Sequence, residues 1–97
     1  RLADRIGRER IALNRAVAVS KIEGPEPALA IVDTLGGQLD SYFHFHGLRG
    51  WLLMELGRDG EARKAFDRAI ALANTAAEAA HIRQHLDTIS RRSAKVS

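Results

Sequence analysis

Cysteine is absent from the 97 residues. That excludes a disulfide framework and any thiolate metal site, and it is compatible with a reducing cytoplasm. Proline occurs only at Pro25 and Pro27, beside a single turn, so nothing else in the chain stops a helix by ring geometry. No apolar run approaches the ~20 residues a membrane-spanning helix needs, and no signal peptide is visible. No segment shows the period-two alternation of a strand.

Catalytic groupings are missing too. The glycines are scattered at helix ends and form no phosphate-binding loop. Ser20, Ser41, Ser90, Ser93 and Ser97 fall at caps, on helix surfaces or in the tail, with no Ser/His/Asp arrangement around them. Asp59 and Glu61 pair at a helix start, where the macrodipole favours negative charge. His44 and His46 are two apart and do not share a helix face. His81 and His85 have metal-pair spacing, but two imidazoles without a firm third ligand make a poor site; Glu78 or Asp87 would have to help. A non-catalytic chain without cofactor or metal is therefore expected.

What is present is helix-forming sequence. Ala, Leu, Arg and Glu dominate, and 45% of the residues are hydrophobic, which suits a folded chain. The net charge is +3. Much of the excess sits at the two ends, in Arg1, Arg5, Arg8 and Arg10 and in Arg91, Arg92 and Lys95. These alternate with Asp4, Glu9 and Asp87, the pattern of solvated helix surface rather than of a basic stripe for nucleic acid. The first residue is Arg1, not Met, so a fragment or a processed product is expected, with part of the function upstream.

Punctuation divides the chain into five predicted helices. Ile11, Leu13, Ala16, Val17, Val19 and Ile22 form the stripe of the first, which stops at Glu23-Gly24-Pro25. Residues before Gly7 are expected to be helical, with Gly7 a point of weakness. The second helix runs from Pro25 to about Leu35, burying Leu29, Ile31, Val32 and Leu35, and Gly36-Gly37 breaks it. Asp40 or Ser41 caps the third, which carries Tyr42, Phe43, Phe45, Leu48, Trp51, Leu52, Leu53 and Leu56 to a stop at Gly57. Asp59 caps the fourth, with Ala62, Ala65, Phe66, Ala69, Ile70 and Leu72. Thr75-Ala76-Ala77-Glu78 is a capping box for the fifth, which buries Ile82, Leu86 and Ile89. Ser93–Ser97 should fray.

The chain matches itself at an offset of thirty-four residues. Ala16 pairs with Gly50, Val19 with Leu53, Ile22 with Leu56, Ala28 with Ala62, Val32 with Phe66, and Leu35 with Ala69. Thirty-four residues of helix–turn–helix is the tetratricopeptide period. The fold expected is all-α: antiparallel helix hairpins, two TPR-like repeats (about 10–38 and 42–74) and a C-terminal capping helix at about 75–92, in a single domain over residues 1–97. The fifth helix leaves the register, since Gln84 stands where Gly50 would repeat. It should close the stack as the terminal element such arrays need.

The first helix of each such repeat lines a concave face. By register that face shows Arg10, Leu13, Val17, Ser20 and Lys21 in unit one, and His44, Gly47, Trp51, Met54 and Glu55 in unit two. Trp51 and Met54, three apart, are either a partner-binding pair or core. Arg15 and Arg49, one period apart, either pair with carboxylates inside the stack or hold a partner's acidic group. The partner-binding candidates are thus Trp51, Met54, His44, Glu55, Val17, Lys21 and Arg49.

Leu13-Asn14-Arg15-Ala16-Val17-Ala18-Val19, Gly24-Pro25 and Leu35 carry a further resemblance. With them go Tyr42, His46, Arg49, Leu52-Leu53, Leu56-Gly57-Arg58, Glu61-Ala62, Arg68-Ala69 and Leu72. Together they resemble the C-terminal extension of a group of bacterial extracytoplasmic-function RNA polymerase sigma factors, in which a tetratricopeptide-like domain follows the two core sigma regions. The likeness covers Leu13 to about Leu86. It departs in the last helix, where Ala79 and His81-Ile82 replace the family's usual Arg and Phe-Leu. The resemblance implies a cytoplasmic regulatory domain for a protein that directs polymerase to promoters. Its partners would be the sigma core regions of the same chain, RNA polymerase or another protein. DNA would be contacted only through upstream regions and a membrane not at all, and the isolated fragment would be able to pair as a homodimer. The alternative is a generic TPR adaptor binding a peptide or protein.

Overall fold

In the computed structural model the backbone is described from Leu2 to Val96 and the side chains for residues 7, 8 and 10–92. Six helices and no strand occur among the described residues: α1 (Leu2–Glu23), α2 (Pro25–Asp33), α3 (Gly36–Leu39), α4 (Phe43–Glu55), α5 (Asp59–Leu72) and α6 (Ala76–Val96). Helix α1 runs unbroken through Gly7, and α6 stays helical to Val96; Arg1 and Ser97 lie outside the described residues.

One residue, Gly24, joins α1 to α2. Its φ of 98° and ψ of 174° lie where side chains are rarely tolerated. Its N–H still donates to the Ser20 carbonyl, and Pro25 starts α2 with φ preset and no N–H to satisfy. Short connections of this kind fold neighbouring helices back on each other. Helix α1 packs on α2, α2 on α4, α4 on α5, and α5 on α6, with lighter contacts from α4 to both α1 and α6.

The turn after α4 has its own mechanism. Gly57, at φ 76°, sends its N–H to the Met54 carbonyl, and Arg58 sends its own to Leu53. This is the Schellman arrangement, which satisfies two end carbonyls and requires the left-handed residue that glycine supplies. Arg92, near the end of α6, donates to the same Met54 carbonyl at 3.0 Å and pairs with Asp59. The far end of α6 is thus tied to the α4–α5 turn.

The core is one cluster that joins all six helices. Ala16, Ala28, Val32, Leu52, Leu53, Ala62, Phe66, Ala69 and Ile89 have no exposed surface. Small residues allow close approach at the hairpin seams. A Cβ at Gly50 would lie 2.7 Å from two ring carbons of Phe66, so α4 and α5 meet at a distance only glycine permits. Phe66 is also covered by His85 of α6, whose ring stacks on it at 5.2 Å and 9°. One aromatic ring therefore links three helices.

Several sequence expectations are corrected. The described residues form six helices, not five. Helix α2 ends at Asp33, where the Thr34 hydroxyl donates to the Ile31 carbonyl. Gly36-Gly37 does not separate two helices but opens the short turn α3, which delivers Leu39 to the core. Neither Asp40 nor Ser41 caps α4. Its N-cap is Tyr42 without a side-chain bond, because Asp40 is engaged elsewhere: its carbonyl accepts from His46 Nε2 at 2.6 Å and its carboxylate meets Arg68 at 3.6 Å. A carbonyl only accepts, so the His46 proton sits on Nε2. Asp59 occupies the first turn of α5 rather than its cap, and faces Arg92. The capping box is half formed as expected: Glu78 N–H donates to Thr75 Oγ1, but the Glu78 carboxylate accepts from Asn74 N–H, one residue earlier than expected. Ile11 and Ile22, assigned to the α1 core stripe, are 61% and 85% exposed. The buried face of α1 is narrower and centres on Leu13 and Ala16, because only α2 and part of α4 cover it.

Candidate functional site

Helices α1, α4 and α6 are not consecutive, yet they border one open groove of about 550 Å³. Its position follows from the packing order. Helices α2 and α5 fill the layer behind, leaving the 22-residue α1 to run alongside α4 on one side while α6 flanks α4 on the other. The floor is α4, and Gly47 keeps it low: a Cβ there would come within 3.4 Å of Ile82 Cδ1.

Six residues expected on the concave face meet in this groove: Arg10, Leu13, Val17, His44, Gly47 and Trp51. Trp51 is half-buried. It both packs on the core and lines the groove. His44 is exposed at the rim, its ring edge-on to Tyr42 at 5.3 Å and to Phe43 at 5.1 Å.

Four expected residues lie elsewhere. Met54 is a core residue, only 7% exposed, and does not line the groove. Glu55 and Lys21 are exposed but do not line the groove, and neither does the half-buried Ser20. Arg49 also departs from the partner-binding set. Its Nε donates to Asp33 Oδ1 at 2.9 Å, tying α4 to α2. This is a pairing with a carboxylate of the same chain at the surface. Arg15, its counterpart one period earlier, is exposed on α1.

Helix α6 supplies what the sequence reasoning missed. His81, Ile82 and His85 form one wall. Their i, i+1, i+4 spacing puts them on one helix face, and that spacing was visible. The missing step was to treat α6 as another lining helix rather than only as a lid. The His85 ring is held between Phe66 and His81, which meets it edge-on at 5.0 Å. Burial, and secondarily the neighbouring His81 charge, hold the His85 imidazole below the usual histidine value of 6.5.

The lining is apolar at the base and basic or imidazole at the rim. Among the described lining residues there is a guanidinium and three imidazoles but no carboxylate. No group of three or more His, Cys, Asp or Glu able to hold a metal occurs among the described residues. No described helix is long and apolar enough to cross a membrane.

Comparison with known proteins yields one informative relative. Over 87 residues, 90% of this chain, it is 62% identical to an uncharacterized protein of Rhizobium meliloti (strain 1021). The chain spans only 21% of that protein's length. No protein-family model matches the chain. No solved structure matches it either.

Proposed function

We propose that this chain is a non-catalytic regulatory and protein-interaction domain, the C-terminal tetratricopeptide-like extension of a cytoplasmic extracytoplasmic-function sigma factor. The observation that carries the interaction role is the groove, because six of the ten residues that the 34-residue offset puts on the first helices' concave face line it. Two features support the repeat reading. The small positions Ala16, Ala28, Ala62 and Ala69 are fully buried, and Gly50 abuts Phe66 across the second hairpin.

The sigma assignment rests on the residue pattern from Leu13 to Leu86. The size of the relative accords with it: 87 matched residues are 21% of its length, so it is about 410 residues long and has room for two sigma regions besides such a domain. The domain would act on those regions, on polymerase or on another protein.

The test is reconstituted transcription. Core RNA polymerase is supplied with the full-length protein, or with the same protein lacking this domain, on a genomic promoter library. Promoter-specific transcripts that change in amount or choice when the domain is removed are expected. A full-length protein that never directs initiation refutes the sigma reading. The generic adaptor reading would survive that result, since the open groove with Trp51 in it does not depend on polymerase.

A further inference from the structure

The groove's charge is lopsided in a way the fold does not require. The charged and titratable groups lining it are Arg10 from α1, His44 from α4, and His81 and His85 from α6. The described carboxylates of these helices do not line the groove: Glu23, Glu55 and Asp87 lie outside it, and Glu78 accepts from Asn74 N–H at the start of α6. Helix α5 faces His85 with a hydrocarbon ring, that of Phe66. The groups that could carry positive charge here thus have no carboxylate opposite them among the described lining residues. Four arginines outside the groove pair with carboxylates of the same chain, Arg49 with Asp33, Arg58 with Glu61, Arg68 with Asp40 and Arg92 with Asp59, while other basic residues such as Arg15, Arg63 and Lys64 are exposed on the helix surfaces. Below the basic rim, Leu13, Val17, Leu48, Trp51 and Ile82 offer an apolar floor.

We infer that the groove receives an acidic peptide segment of a partner protein, with an apolar side chain of the segment seated against Trp51 and carboxylates meeting Arg10, His44 and His81. This deepens the interaction role proposed above and rests on it, but not on the sigma assignment. Complementary charge sets orientation and partner choice, while the aromatic anchor supplies the desolvated contact.

The test is fluorescence anisotropy with a short labelled peptide of alternating Glu and Leu, against the whole 97-residue chain. A Gln/Leu peptide and a Lys/Leu peptide serve as comparisons. Saturable binding of the Glu/Leu peptide is expected, about tenfold or more tighter than the Gln/Leu peptide and weaker at higher salt. The triple variant Arg10→Gln, His44→Gln, His81→Gln alters only exposed side chains and should lose that preference. Lys64→Gln, exposed on α5, removes a positive charge outside the groove and should keep it. Circular-dichroism melts confirm that each variant is folded. Equal binding of the Glu/Leu and Gln/Leu peptides, preference for the Lys/Leu peptide, or no binding of any of the three overturns the inference. Transcription that responds to this domain while no peptide binds would reject the acidic partner and leave the sigma reading intact. Peptide binding without promoter-directed transcription would do the reverse.

Discussion

Gly24 and Gly57 are the two residues whose backbone angles an L side chain rarely adopts, and they differ in how far they depart. Gly57 sits at φ 76° in the left-handed helical region, which other residues reach at a cost of roughly 1–2 kcal/mol. Gly24, at φ 98° and ψ 174°, lies in a region essentially restricted to glycine, where strain is about 1–3 kcal/mol. A Cβ would meet nothing within 4 Å at either site, so the penalty at both is conformational rather than steric. Gly24→Ala should therefore lower unfolding free energy in urea by at least as much as Gly57→Ala, with both losing about 1 kcal/mol or more. Unchanged stability in Gly24→Ala would mean that the one-residue link between α1 and α2 is not strained as described. Both turns were legible in the sequence as glycine stops. The fate of single polar side chains was not. Nothing local in Arg49 announces Asp33, sixteen residues earlier, and nothing in Arg92 announces the α4–α5 turn. Such pairings are decided by how helices come to lie, not by the composition around either residue.

At the scale of elements, α4 contains its own control experiment. Gly47 and Gly50 stand three apart in one helix, and each costs that helix up to about 1 kcal/mol of propensity relative to Ala. Their surroundings differ. At Gly50 a methyl group would press on the Phe66 ring at 2.7 Å, and that ring is also stacked against His85. At Gly47 it would reach only the flexible end of Ile82, at 3.4 Å. Gly50→Ala should destabilise by about 1–3 kcal/mol through forced displacement of a packed ring. Gly47→Ala should be neutral or stabilising, by up to about 1 kcal/mol, because propensity outweighs a soft contact. Thermal or urea unfolding of the two variants decides the matter, and a stable Gly50→Ala protein would remove the close α4–α5 approach. The recurrence of small residues made that seam visible in advance. The short turn α3 was not visible, since Gly36-Gly37 reads as a plain break. Only the burial of Leu39 shows why the chain coils once more before α4. Likewise the α1 stripe was drawn too wide, because apolar periodicity marks a face that can be buried and not how much of it a neighbour covers.

Across the whole molecule, the groove was legible where two helices share a repeat register and illegible where α6 enters, because α6 leaves that register. Its contribution arrives through His85, which slots against the ring that the register did predict. This contact makes the stability of the whole fold pH-dependent. Burial and the adjacent His81 disfavour the imidazolium form of His85, so its folded-state value lies below the 6.5 of the free group. The native state therefore binds its proton less readily than the unfolded chain. The stability contributed by neutral His85 is complete above about pH 6.5, declines as pH falls, and is lost once pH passes below the folded value. His85→Phe keeps an aromatic ring on Phe66 and cannot be charged. Its melting temperature should fall less than that of the parent between pH 7.5 and pH 5. His81→Gln should flatten the parent's curve partway, because it removes only the smaller, charge-based cause. Identical slopes for the parent and His85→Phe would show that protonation at the α5–α6 seam carries no weight in holding the closing helix down.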